Sequence, residues 1–198
     1  MTELLPATAI VLAGGRSSRF GADKLTVEVD GEPLLHRSIR AVAQVCDEII
    51  VVGSPAGLSM GLPADLPTHP VVLLDDDPYP GPLVAFARSV AMATRELLLL
   101  VAGDMPRMEP AILRRVLSWT AGRDGTCLIA GGIDRPFPMG LSREAAAHRA
   151  ERLVEREARS LRALIDSLDL ERVTEDEWRR LDPEARSLQD IDRPEDLS

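Results

Sequence analysis

The sequence predicts an α/β fold: a three-layer structure in which a mainly parallel sheet carries helices on both faces. Three observations predict it. The short strand-like runs are continuously apolar, as in ATAIVLA, EIIVV and ELLLLVA, rather than alternating. They alternate along the chain with segments of helical periodicity. Each is followed by glycine or aspartate rather than by a tight hairpin turn. Strands buried on both faces need helices above and below, and parallel neighbours need long crossovers between them.

The elements follow in order. Ala7–Ala13 reads as a buried strand that feeds Gly14-Gly15. Thr26–Val29 alternates before the turn Asp30-Gly31 and predicts a short strand. Pro33–Val45 places Leu34, Leu35, Ile39, Val42 and Val45 on one helical face, with proline at the start. Glu48–Val52 and Pro70–Leu74 read as the second and third buried strands, separated by a proline-rich surface excursion from Gly53 to Pro70. Pro82–Thr94 predicts a helix, Glu96–Ala102 the central strand, Glu109–Trp119 a helix and Thr126–Ala130 a strand. Arg143–Leu168 reads as charged helix with Leu153, Leu161, Leu164, Ile165 and Leu168 on its apolar stripe. The 198 residues suit one domain spanning 1–198. No repeat, linker or low-complexity tract is present.

Composition narrows the function. Lys plus Arg number 23 and Asp plus Glu 32, a net charge of −9. Such a surface repels phosphate polymers, and 3% aromatics leave little for base stacking, so nucleic-acid and membrane binding are disfavoured. The N-terminal MTELLPATAI lacks a basic start and a long apolar run, and nothing approaches the ~18 apolar residues of a membrane span. A cytoplasmic protein is expected. Cys46 and Cys127 form neither a CxxC pair nor a zinc-type cluster and read as reduced packing residues.

Against this acidic background, Arg16, Arg19 and Lys24 cluster just after the first strand, in LAGGRSSRFGADK. Gly14 and Gly15 permit close backbone approach, and successive N–H groups in such a turn form an anion nest. Lys24 supplies a flexible point charge, and Arg19 a fork for two oxygens. A triphosphate with its metal is the natural guest of Leu12, Ala13, Gly14, Gly15 and these cations. Neither GxxxxGK[ST] nor GxGxxG is present, so the loop is not a P-loop or a dinucleotide fingerprint. A plain turn with solvated charges is the competing reading. Asp104, in Gly103-Asp104-Met105-Pro106 at the end of the central strand, can hold a hard divalent cation against phosphate oxygens. The alternative is a helix cap.

LAGGRSSRFGADK resembles the LAGGxSxRMGxDK signature of the molybdenum cofactor guanylyltransferases, part of the α/β nucleotidyltransferase group. Leu12, Ala13, Gly14, Gly15, Ser17, Arg19, Gly21, Asp23 and Lys24 fall in register, and Phe20 replaces a usual Met. Further stretches are similar. Asp104 and Pro106 match xxDxP, and Asp75 through Gly81-Pro82-Leu83 match D-x-x-P-x-x-GPL, with Val84-Ala85 for the usual AG. Arg135–Leu141 resembles an acceptor-side HPLPGLY segment, and ARSLRALID a GxRSLRxLL helix with Ala158 at the glycine. Asp190 to Leu197 resembles NxNTPEDL, with Asp190 and Asp192 for the asparagines.

The resemblance implies a Rossmann-like sheet of the nucleotide-diphospho-sugar transferase type and a reaction. GTP would donate GMP to molybdenum-bearing molybdopterin with release of pyrophosphate. Arg19 and Lys24 would serve the phosphates, Asp104 and Asp192 would hold Mg²⁺, and Asp75 would accept from guanine. Gly81 would lie at the ligand, Arg159 at an acceptor phosphate, and Asp190 would orient substrate. Molybdenum-insertion and molybdoenzyme chaperone proteins would be partners. The acceptor phosphate is already ionised, so His36, His69 and His148 are expected to be non-catalytic. A relative using CTP or a sugar or alditol phosphate stays open as an alternative, as does a non-catalytic nucleotide-binding protein.

Overall fold

A computed structural model describes residues 3–14, 24–75 and 80–191. The first half of the chain is strand β1 (Leu5–Ala13), a short hairpin of β2 (Glu28–Val29) and β3 (Glu32–Pro33), helix α1 (Leu34–Ala43), β4 (Cys46–Gly53), β5 (Val71–Leu74), α2 (Pro82–Met92) and β6 (Leu97–Ala102). The second half is α3 (Pro110–Thr120), β7 (Gly125–Ala130), β8 (Ile133–Ser142), α4 (Arg143–Glu155), α5 (Leu161–Ser167), β9 (Leu170–Val173) and α6 (Glu175–Trp178).

The main sheet has seven strands in the order β5-β4-β1-β6-β8-β7-β9. Every pairing is parallel except those of β8, which runs antiparallel between β6 and β7. The predicted three-layer, mainly parallel α/β architecture is therefore the one observed. Alternate residues of each strand serve opposite layers. Ala7, Ala9, Val11 and Ala13 of β1 join Leu99 and Val101 of β6 against α1 and α3. Ile10 and Leu12 join Leu98 and Leu100 against α2, α4 and α5. The continuous apolar runs of the sequence are this two-sided burial. Among the described residues no helix is long and apolar enough to cross a membrane.

Strand β5, read as buried, is an exposed edge strand, because β4 pairs with it on one side only. Three further features depart from the sequence reading. Strand β8 replaces a segment assigned only to the acceptor side. Its Pro136 and Pro138 fall where the ladder to β7 jumps from Cys127↔Met139 to Leu128↔Arg135, and prolines cannot donate to a ladder, so the strand carries no clean periodicity. The helical run 143–168 is broken. Glu157 adopts φ 62°, its amide bonds to Val154 and that of Ala158 to Leu153, which is a Schellman ending of α4. The glycine-like conformation thus lies at Glu157, not at Ala158. Ser160 then caps α5. Finally, β9 closes the far edge, and Trp178 behind it is fully buried with its indole N–H on the Ile129 carbonyl at 2.8 Å. The hairpin around Asp30 (φ 52°) and Gly31 (φ 78°) is the expected Asp-Gly turn, with its first strand beginning at Glu28 rather than Thr26.

At the amino ends of the central strands, Glu48 of β4 joins β1 and the segment entering β6. Its carboxylate accepts from the buried Thr8 hydroxyl of β1, from the Thr94 amide at 2.9 Å and from the Thr94 hydroxyl at 2.8 Å. Partial burial opposes its ionisation, but these hydrogen bonds and Arg95 outweigh it and lower its pKa below the ordinary 4.5. A depressed folded-state pKa adds stability above the unfolded value and loses it as pH falls through the folded one. Glu48→Gln is expected to cost about 1–3 kcal/mol at pH 7. In thermal melts the gap to wild type should shrink steadily below pH 4.5; a constant gap would show that the carboxylate's charge is irrelevant.

Candidate active site

The chain order reverses at the middle of the sheet. From β1 the strands proceed outward through β4 to β5, and α2 then carries the chain back across to β6 on the other side of β1. Two loops leaving such neighbours in opposite directions open a crevice beyond the strands' carboxyl ends. Here those loops begin at Gly14 and at Gly103.

The floor of the crevice is almost bare backbone. The Gly103 amide donates to the Leu12 carbonyl at 2.9 Å and ties the end of β6 to the end of β1. On the other side Gly53 of β4 pairs with Ala13, and a Cβ on Gly53 would lie 2.4 Å from the Ala13 oxygen. A Cβ on Gly103 would meet Leu35 at 3.1 Å and the Leu12 oxygen at 3.3 Å. A larger residue at Gly53 would have to displace backbone, and one at Gly103 would press on Leu35 and on the end of β1. Leu12, Ala13 and Gly14 thus end β1 in the middle of this floor, as expected. Gly15 and Arg19 lie outside the described residues.

Over the floor, Lys24 and Asp104 meet. Lys24 opens a short 3-10 turn to Thr26, and its Nζ donates to Asp104 Oδ2 at 2.9 Å. The two side chains are 12% and 26% exposed, so this charge-assisted bond is shielded but reachable from the crevice. The loop bearing Asp104 is fastened from three directions. The buried Ser38 hydroxyl of α1 donates to the Gly103 carbonyl at 3.1 Å, Arg37 Nε to the Pro106 carbonyl at 3.4 Å, and the Ile191 amide to the Asp104 carbonyl at 3.1 Å. Ile191 is itself buried with Val29 and Leu34. The helix-cap reading of Asp104 fails: α3 is capped at Glu109, whose amide bonds to the Ser187 hydroxyl.

Two further groups line the same edge. Asp75, one residue beyond β5, donates its amide to the Gly53 carbonyl at 2.9 Å, and its buried side chain lies 3.7 Å from Arg88 of α2. Gly81 holds φ 99° at the start of α2, where a Cβ would come within 3.0 Å of Arg159. The Leu83 amide takes the Arg159 carbonyl at 3.0 Å. Gly81 and Arg159, 78 positions apart (159 − 81), are therefore one piece of structure. The Arg159 side chain is exposed and donates to the Ala158 carbonyl at 3.0 Å. Asp190 is exposed beside Ile191, and Asp192 lies outside the described residues.

Among the described residues no three His, Cys, Asp or Glu side chains gather in a metal-holding group. Asp104, among the described residues, offers a hard oxygen donor partly open to the crevice, which matches a cation that takes one or two carboxylates and fills its shell with phosphate and water. Burial pushes the Cys46 thiol up to about 12 and the Cys127 thiol to about 11, so neither is a thiolate near neutral pH, in keeping with packing roles. His36 faces the Gly61 carbonyl at 3.1 Å. Gly53, Ser38, Arg88 and Ile191 were not singled out from sequence. Gly53 was legible as a glycine at a strand end; the other three carry no local signal, because their partners are distant in sequence.

Residues 9–173 match the family model of the MobA-like NTP transferase domain. The chain is 35% identical to the molybdenum cofactor guanylyltransferase of Xanthomonas euvesicatoria, over 88% of this chain and 86% of that protein. It is 29% identical to a probable molybdenum cofactor guanylyltransferase of Chloroflexus aggregans, over 96% of this chain and 91% of that protein. The crystal structure of molybdopterin-guanine dinucleotide biosynthesis protein A from Archaeoglobus fulgidus shares the fold, with a TM-score of 0.78, 20% identity, and coverage of 96% of this chain and 94% of that one. The resemblance carried by the sequence motifs is borne out: this chain is a nucleotidyltransferase and belongs to the MobA-like NTP transferase domain family.

Proposed function

We propose that this chain transfers GMP from GTP to molybdopterin carrying molybdenum, releasing pyrophosphate and forming the guanine dinucleotide form of the cofactor. The observation that carries the reading is the Lys24–Asp104 pair at 2.9 Å, set at the strand-order reversal of a chain whose relatives named above are guanylyltransferases.

An oxygen of the acceptor's terminal phosphate attacks the α-phosphorus in line. A new P–O bond forms, the bond to the β-phosphate's bridging oxygen breaks, and pyrophosphate leaves with the electron pair. The attacking oxygen is already anionic near neutral pH, so positioning and charge neutralisation suffice. In this reading backbone N–H groups from Gly14 and Gly15 onward cradle the phosphates. Lys24 and Arg19 neutralise the β- and γ-phosphates, the Lys24 ammonium exchanging its Asp104 oxygen for phosphate oxygens. Asp75 accepts from the guanine edge, and the bare Gly81 lets α2 begin close to the ligand. Arg159 binds the acceptor phosphate and Asp190 orients the acceptor.

Asp104, with Asp192, would hold Mg²⁺. An ion bound there supplies charge neutralisation at the reacting phosphorus and the leaving group. Delivery of the acceptor by a molybdenum-insertion protein, with passage of product to molybdoenzyme chaperones in the cytoplasm, belongs to the same proposal.

Asp104→Ala and Lys24→Ala are each expected to lower turnover by about 10²–10³ while the protein still melts cooperatively. Near-normal turnover in either purified variant would remove that residue from the mechanism. With Mg²⁺ and molybdopterin, pyrophosphate release is expected with GTP and not with CTP. Equal release from CTP would reassign the donor, and tight GTP binding with no pyrophosphate under any condition would replace the enzyme with a binding protein.

A further inference from the structure

We infer that Arg88 is a positioning residue that sets the carboxylate of Asp75 for reading the base; this rests on the proposed role of Asp75 at the guanine edge. The local geometry is unusual for an edge strand. Val71, Val72 and Leu74 of β5 are 45%, 44% and 48% exposed, yet the next residue, Asp75, turns a charged side chain inward until it is 2% exposed. Ordinary packing hides the apolar residues and leaves the carboxylate out. An inward carboxylate costs several kcal/mol of desolvation unless a counter-charge accompanies it.

Arg88 brings that charge. It lies in the second turn of α2, and its guanidinium spans the end of β5: Nη2 donates to the Leu74 carbonyl at 3.1 Å while Nη1 lies 3.7 Å from Asp75 Oδ1. The backbone bond fixes the guanidinium on the strand, so the charge is anchored independently of the carboxylate. At 3.7 Å the contact is a charge pairing beside Oδ1 rather than a bidentate fork across both oxygens. The Arg88 side chain is 34% exposed, so the pair opens toward the surface from the arginine side. Helix α2 thus serves two ends of the site, with Gly81 against Arg159 at its start and Arg88 against Asp75 two turns on.

Guanine offers a carboxylate two donors, N1–H and the 2-amino group, and hypoxanthine offers only the first. Preference for GTP over ITP therefore measures how well the carboxylate is placed. Binding of each nucleotide to the full chain, measured by calorimetry with Mg²⁺, needs no acceptor. In Arg88→Gln the GTP-to-ITP affinity ratio is expected to fall about tenfold, with Arg88→Lys intermediate, since it keeps the charge and loses the planar group that holds the Leu74 carbonyl and Asp75 at once. Asp75→Asn should lose the preference too, and adding Arg88→Gln to it should change the ratio no further.

Equal weakening of both nucleotides in Arg88→Gln, or no change in either, overturns the inference and leaves Arg88 a structural residue. If Arg88→Gln does not fold, a wild-type ratio in Arg88→Lys overturns it equally. An intact preference in Asp75→Asn overturns the base-reading role of Asp75 itself, and the role of Arg88 with it. Loss in Asp75→Asn without loss in either Arg88 variant removes Arg88 alone.

Discussion

The site depends on β1 and β6 being neighbours. Their residues are roughly ninety positions apart in sequence, yet Ala7↔Leu97 through Leu12↔Ala102 pair without a slip, and the Gly103 amide extends the ladder onto the Leu12 carbonyl. A one-residue shift in that register would turn Leu99 and Val101 to the wrong layer and move Asp104 away from Lys24. The pairing is held by burial on both faces, since each strand loses its apolar contacts with two helical layers if it slides. Fold stability and site geometry are consequently the same constraint seen from two ends of the sheet.

The two ends of the strands handle charge differently. At the amino ends, Glu48 is satisfied by threonines and by an amide, an arrangement that stitches β1, β4 and the entry to β6. At the carboxyl ends, carboxylates face cations: Asp104 with Lys24 and Asp75 with Arg88. In a chain of net charge −9, these pairings offset two carboxylates at the edge proposed to receive anions. The glycine floor has a related purpose. With Gly53 and Gly103 bare, the floor itself is backbone, which cannot swing away as a side chain can.

Some of the molecule was readable residue by residue and some was not. Strands such as β1 and β6 were plain because two-sided burial writes a continuous apolar run, and α1, α2 and α3 because one-sided burial writes a helical stripe. Strand β8 was not, since its prolines remove both donors and periodicity. The break between α4 and α5 was also hidden. It is imposed by a left-handed turn at Glu157 and by the docking of the Arg159 backbone under α2. Asp104 and Lys24 were singled out because each follows or precedes a recognisable signal, whereas Ser38, Arg88 and Ile191 act only through partners far along the chain.

By itself, then, the sequence determined the α/β class, the order of most elements, the family motifs and the residue types proposed to handle phosphate. These are local properties: periodicity, glycine next to a strand, and cations clustered in one stretch. The tertiary structure alone decided that Lys24 sits on Asp104, that Gly81 lies against Arg159 and that Asp75 turns inward toward Arg88. Each of these joins residues that only the strand order brings within a few ångströms. Coulombic and hydrogen-bond energies depend on distance in space, and separation along the chain carries no record of it.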